Sequence, residues 1–161
     1  MEGDDDRSET RPIQVRQPKD ELTFCAADDE LAVLVRASAL DVAGLPMRAA
    51  RVLEEFTRTR PNPPVTVAAT QASLLLAADR PEQAVAACSK NLQRLSHEPG
   101  PSADLTAGLL ATRGTAYGAL LEFEPAVSDL LLAATRAREL RDLDAAADYA
   151  TRAATVQLLD I

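Results

Sequence analysis

Very few groups in this chain could carry out chemistry. It has a single histidine, His97, and two cysteines, Cys25 and Cys88, in 161 residues. Acid–base or nucleophilic catalysis needs several such groups converging on one point. His97 instead stands beside the helix-breaking stretch SHEPGPSA, residues 96–103, which predicts an exposed loop position. The two cysteines lack metal-ligand spacing and make a poor disulfide framework, and the helical context of Cys88 predicts a small buried apolar residue. Carboxylates are plentiful, but Asp28, Asp29, Glu30, Glu54 and Glu55 fit helix starts and wet faces better than an acid–base pair. The sequence contains no GxxxxGK[ST], HExxH, GxSxG or paired CxxC. It therefore predicts a non-enzyme without cofactor or metal.

Composition narrows the class further. The formal charge is −8 and only two residues are lysine, which argues against a nucleic-acid ligand, because phosphate contacts need clustered cations. No run approaches the roughly 20 apolar residues of a membrane span, and the acidic start MEGDDDRSETR is unlike a signal peptide, so a cytoplasmic protein is expected. Richness in alanine and arginine with scarce lysine is the composition of a high-GC, bacterial source. Apolar residues make up 47% and aromatic ones only 3%, so the core has to be built from Ala, Leu and Val, as closely packed helices allow.

The elements follow from periodicity. Residues 1–27 hold an acidic run and the Pro-punctuated stretch RPIQVRQPKDE without a sustained apolar period, and are expected to form a disordered tail. From Asp28 onward apolar residues recur at helical spacing, broken at Gly-Leu-Pro, Pro-Asn-Pro-Pro, Asp-Arg-Pro, Glu-Pro-Gly-Pro and Phe-Glu-Pro. The breaks predict seven helices, at about 28–43, 46–59, 64–79, 81–97, 102–121, 124–141 and 143–160. Pro46, Pro81 and Pro125 fall where helices would begin, and Ser102 and Asp142 or Asp144 are candidate caps.

An internal repeat runs through these helices. In RGTAYGALLEFEPAVSDLLLAA, Gly114 and Tyr117 lie on one predicted helix and Ala126, Leu130 and Ala133 on the next. The same small and large positions recur as Ala72, Leu75, Ala84 and Cys88, and as Ala37, Leu40, Ala49 and Leu53. Small residues at matching places let paired helices approach closely while the larger ones fill the groove between them. The pattern resembles the tetratricopeptide repeat, whose period is about 34 residues. Here Ala37, Ala72 and Gly114 stand 35 and 42 positions apart, the excess lying in the 96–103 loop. Phe56 and Asn91 depart from the pattern, each replacing a small residue. The resemblance implies an all-α, right-handed solenoid of antiparallel helix pairs over 28–161. Its repeats would fall at about 30–62, 65–97 and 107–140, with an unpaired last helix at 143–160.

The resemblance also implies a function, a protein-interaction adaptor that holds a partner peptide or amphipathic helix in a concave groove lined by the first helix of each pair. The runner-up is a regulatory or sensor module acting with a catalytic or DNA-binding unit. Carried across residue by residue, the groove would be lined by Leu34, Ser38, Ala69, Ser73, Ala111, Thr112 and Thr115. That lining is neutral and lacks the Lys, Arg and Asn with which some members of the family grip a terminal carboxylate. Arg36, Gln71, Arg113 and Arg152 each precede the small residue of their repeat, so stacking would set them in a polar row whose stems cover apolar surface while the heads reach water or a neighbouring carboxylate; the alternative is a row that meets an acidic partner. If the row binds, Arg113→Ala should weaken partner capture without lowering the melting temperature. An apolar edge on the last helix, including Leu158, Leu159 and Ile161, offers a place for self-association.

Overall fold

The computed structural model describes residues 26–97 and 103–160. Residues 1–25 of the expected tail, the Ser102 cap and Ile161 lie outside the described residues, whereas Ala26 and Ala27, also assigned to the tail, open the first helix. Seven helices follow one another: α1 (Ala26–Val42), α2 (Pro46–Arg58), α3 (Val65–Ala77), α4 (Pro81–His97), α5 (Ala103–Ala119), α6 (Phe123–Glu139) and α7 (Leu143–Leu159). Among the described residues there is no strand. His97 is the last residue of α4 and is exposed, one step short of the loop expected for it.

Helix ends follow local rules. Pro46 and Pro81 open α2 and α4, where a missing N–H costs nothing. Pro125 stands third in α6 rather than first, still among the four residues whose N–H groups have no partner within the helix. Pro64 caps α3 in an extended conformation. Asp142 is the cap of α7, its carboxylate accepting from the Ala145 N–H at 3.0 Å.

One turn is used four times. Gly44, Asp79, Leu121 and Arg141 all have φ between 57° and 74°. In each case the next residue's N–H donates five residues back: Leu45 to Leu40, Arg80 to Leu75, Glu122 to Tyr117 and Asp142 to Ala137, all at 2.9 Å. This is the Schellman arrangement, which consumes the last free carbonyls of a helix. The left-handed backbone suits glycine and strains a Cβ-bearing residue. Leu121 gains nothing in return, since its side chain is 72% exposed. Leu121→Gly is accordingly expected to raise the unfolding free energy by about 1 kcal/mol. A urea titration would show this as a higher midpoint at unchanged slope.

Packing is sequential. Each helix lies against the next, and α1 also touches α3, α3 touches α5 and α5 touches α7; among the described residues no two even-numbered helices pack together. The core is correspondingly elongated. One cluster joins Ala37, Ala49, Leu53, Val67 and Ala84; a second joins Ala72, Cys88, Leu95 and Leu109; a third joins Leu110, Ala111 and Ala133. The repeat positions Ala37, Ala49, Ala72, Ala84, Ala126, Leu130 and Ala133 are all fully buried. The tightest approach is at Gly114, where a Cβ would lie 2.9 Å from the Leu130 side chain and 3.0 Å from the Ala126 carbonyl oxygen. Phe56 packs on the first cluster with the Arg60 guanidinium 3.6 Å above its ring, and buried Asn91 donates to the Ala87 carbonyl, so both departures from the small-residue pattern are accommodated.

Candidate functional site

The odd-numbered helices share a shallow cavity of about 580 Å³. α3 contributes Thr66, Ala69, Thr70 and Ser73, α5 contributes Asp104, Gly108, Ala111 and Thr112, and α7 contributes Asp148, Tyr149 and Arg152. On each helix these residues recur at three- and four-residue steps, which keeps them on one face. Ala69, Gly108 and Ala111 leave room between helices, and Tyr149 rises at the α7 side, packed on the cluster of Leu110, Ala111 and Ala133.

The polar groups here are mostly acceptors. Thr70 donates to the Thr66 carbonyl, Thr112 to that of Gly108 and Ser73 to that of Ala69, at 2.9, 2.9 and 3.3 Å. A hydroxyl that donates to its own helix's backbone keeps its oxygen available as an acceptor. Ser73 Oγ and Thr112 Oγ1 stand 3.4 Å apart, bringing α3 and α5 together at residues 39 positions apart in sequence. Thr66 donates a short hydrogen bond to Glu30 of α1. Two carboxylates, Asp104 and Asp148, line the groove with Arg152, which is paired with Asp148 at 2.7 Å. Burial raises the pKa of Tyr149 above the ordinary phenol value.

Of the groove residues expected from sequence, Ala69, Ser73, Ala111 and Thr112 line this cavity. Leu34, Ser38 and Thr115 do not. Leu34 packs on the first core cluster, Ser38 is exposed on α1, and half-buried Thr115 donates to the Ala111 carbonyl. Asp104, Asp148 and Tyr149 were not foreseen; because Arg152 is paired with Asp148, the lining holds one more carboxylate than arginine where a neutral groove was expected. Asp104 precedes Ala111 by seven residues, so carrying the α5 face two turns toward its start would have found it.

The expected polar row is divided among separate surfaces. Arg36 lines a cleft with Arg48 and Arg51, Gln71 a different one between α2, α3 and α4, and Arg152 the groove. Arg113 is committed elsewhere, its guanidinium donating from Nε and Nη2 to both oxygens of Asp129 at 2.7 and 2.9 Å and from Nη1 to Ser89 at 3.2 Å. Asp129 is 7% exposed, so this is a largely dry, two-pronged ion pair between α5 and α6. That hydrogen bonding raises the Arg113 pKa. The expectation that Arg113→Ala would leave the melting temperature unchanged is therefore corrected, since the side chain ties two helices together.

Other reactive groups are held inert. Cys88 is a free, fully buried cysteine whose thiol is pushed up to about 12, chiefly by burial. Among the described residues no three His, Cys, Asp or Glu side chains converge as a metal site, and no helix is long and apolar enough to cross a membrane. Leu158 and Leu159 are exposed at the end of α7. No family model matches the chain, and no curated protein and no solved structure matches it at a significant level.

Proposed function

We propose that the chain is a right-handed solenoid of tetratricopeptide-type hairpins that acts as a non-catalytic adaptor, docking a partner segment in the groove of α3, α5 and α7. The architectural half of the reading is supported by the order of packing. Contacts between successive odd helices, and none between successive even ones among the described residues, are what a stack curved with its odd helices inside would have. The functional half rests on one observation, that small residues of α3 and α5 line one continuous cavity with Tyr149 of α7, with hydroxyls and carboxylates among the lining.

That lining defines the partner's chemistry. A helix or peptide with an apolar stripe would bury it against Ala69, Gly108, Ala111 and the Tyr149 ring, as grooves for amphipathic helices do. Lysine or arginine flanking the stripe would meet Asp104, Asp148 and Glu30. The chain's net charge of −8 favours the approach of such a segment at a distance. Burial supplies affinity and charge supplies orientation.

Display selection of random 15- to 20-residue peptides against the full chain tests this reading. The enriched sequences are expected to be amphipathic with basic flanks, and Ala69→Arg or Ser73→Arg should weaken them at least about tenfold. Ser73 is exposed and admits a longer side chain with the melting temperature in place, whereas Ala69 packs on the cluster of Ala72 and Leu109, so its variant is read beside its own melting temperature. Failure to enrich such peptides, or binders indifferent to both substitutions, would remove the assignment.

A further inference from the structure

On the far side of α3 lies a second and larger cleft, of about 730 Å³, between α2, α3 and α4. Ala68 and Gln71 face it, and at 100° per residue they point away from Thr66, Ala69, Thr70 and Ser73, which face the groove. Its charge runs against that of the whole chain. Beside His97, four cations line it, Arg58, Arg60, Lys90 and Arg94, with Glu54 the single carboxylate among its lining residues. Two of these cations are already positioned: Arg60 is stacked on Phe56 and paired with Asp29, and Arg94 donates to the Pro63 carbonyl at 2.7 Å. Exposed Arg58 and Lys90 have no ion pair among the described residues. The result is a preformed cationic trough with an apolar floor at Ala68 and Ala87.

The Arg60 to Asp29 pair locates the start of α1. Asp29 belongs to the first turn of that helix, so the polypeptide that precedes Ala26 joins the fold at the lip of this cleft. That polypeptide carries Glu2, Asp4, Asp5, Asp6 and Glu9 against Arg7 within its first nine residues. Twenty residues separate Asp6 from Ala26, and a chain of that length can span up to about 70 Å, so the acidic run is tethered within reach of the cleft.

We propose that the acidic segment Glu2–Glu9 docks into the cationic cleft of the same chain, its carboxylates meeting Arg58, Lys90 and the pre-positioned Arg60 and Arg94. The contact is electrostatic and therefore governed by salt. It is independent of the groove on the opposite face of α3, and either assignment can fail without the other.

The test uses the full chain, isotope-labelled, with a nitroxide attached through Ser8→Cys in a Cys25→Ser background. Buried Cys88 is protected from the reagent. At about 20 mM salt the amide signals of Arg58, Lys90 and Gln93 are expected to weaken at least about twofold, recovering near 0.5 M salt as screening shortens the reach of charge. Asp4→Asn with Asp5→Asn and Asp6→Asn should abolish the effect, as should Arg58→Glu with Lys90→Glu. The proposal is overturned by uniform or absent broadening, by broadening at Ser73 and Thr112 instead, or by persistence in the neutralised variants. It is likewise overturned if the same broadening arises when the nitroxide and the isotope are on different molecules, which would place the contact between copies.

Discussion

Gly114→Val is expected to lower the unfolding free energy by about 3 kcal/mol, more than an ordinary surface substitution by an order of magnitude. The reason is geometric. A Cβ at this position would sit 2.9 Å from the Leu130 Cγ, 3.0 Å from the Ala126 carbonyl oxygen and 3.1 Å from the Asp129 Cβ. Leucine can shift, but the carbonyl belongs to the backbone of α6 and moves only if the helix does. Valine adds two methyl groups to that clash, and the helix must either slide or separate from α5. Helix propensity works the other way, favouring valine over glycine by only a few tenths of a kcal/mol, so sterics decide the sign. Gly108 in the same helix is the internal control. Nothing lies within 4 Å of its added Cβ, and Gly108→Ala is expected to stabilise by about 0.5–1 kcal/mol. Urea titrations of both variants read the two effects directly, through midpoints at constant slope. A Gly114→Val chain as stable as the parent would mean that α5 and α6 are not packed as described.

The second large effect is expected at the ion pair between those helices. Asp129→Ala should cost about 2–3 kcal/mol, because it leaves the Arg113 guanidinium in a mostly buried position with two of its donors unmatched. Arg113→Ala should cost a similar amount by stranding the buried carboxylate. Removing both partners should cost less than the sum, and that shortfall in a double-mutant cycle is the signature of direct coupling. The Arg152 to Asp148 pair provides the contrast. It is equally short at 2.7 Å, but both side chains are about half exposed, so Asp148→Ala should change stability by no more than about 0.5 kcal/mol. Thermal unfolding of the four single and double variants separates the cases. Equal and small effects at both sites would show that the α5 to α6 pair is solvated.

Much of this fold was legible in the sequence, for a reason that applies residue by residue. Proline, glycine and the period of apolar residues act locally, so all seven helices could be located from them, and Pro46 and Pro81 marked two starts to the residue. The small residues recurring at Ala37, Ala72 and Gly114 are all buried, and at Gly114 the neighbouring helix comes so close that a Cβ would clash. The turns at Leu121 and Arg141 were invisible, because a left-handed conformation announces itself only when glycine occupies it, as at Gly44. The candidate groove was read in part. Ala69, Ser73, Ala111 and Thr112 follow from helical spacing on α3 and α5, whereas the joining of α7 to them depends on how the helices after residue 120 are placed. For Arg113 a head reaching water or a neighbouring carboxylate was expected, and Asp129 supplies that carboxylate; its place 16 residues along the chain is why a single helical face could not say which helix would present it or that the pair would be buried.

The side-by-side placement of α3 and α5 is the claim on which the docking surface depends, and Ser73 and Thr112 report on it most directly. Their hydroxyl oxygens are 3.4 Å apart, close enough for a pair of cysteines to bridge. In a Cys25→Ser background, Ser73→Cys with Thr112→Cys is expected to form an intramolecular disulfide under mild oxidation, with thiol titration and peptide mapping showing the bond and leaving only buried Cys88 reduced. If both introduced thiols instead stay free in the folded chain, α3 and α5 do not lie together at this point, and the groove built on them does not exist.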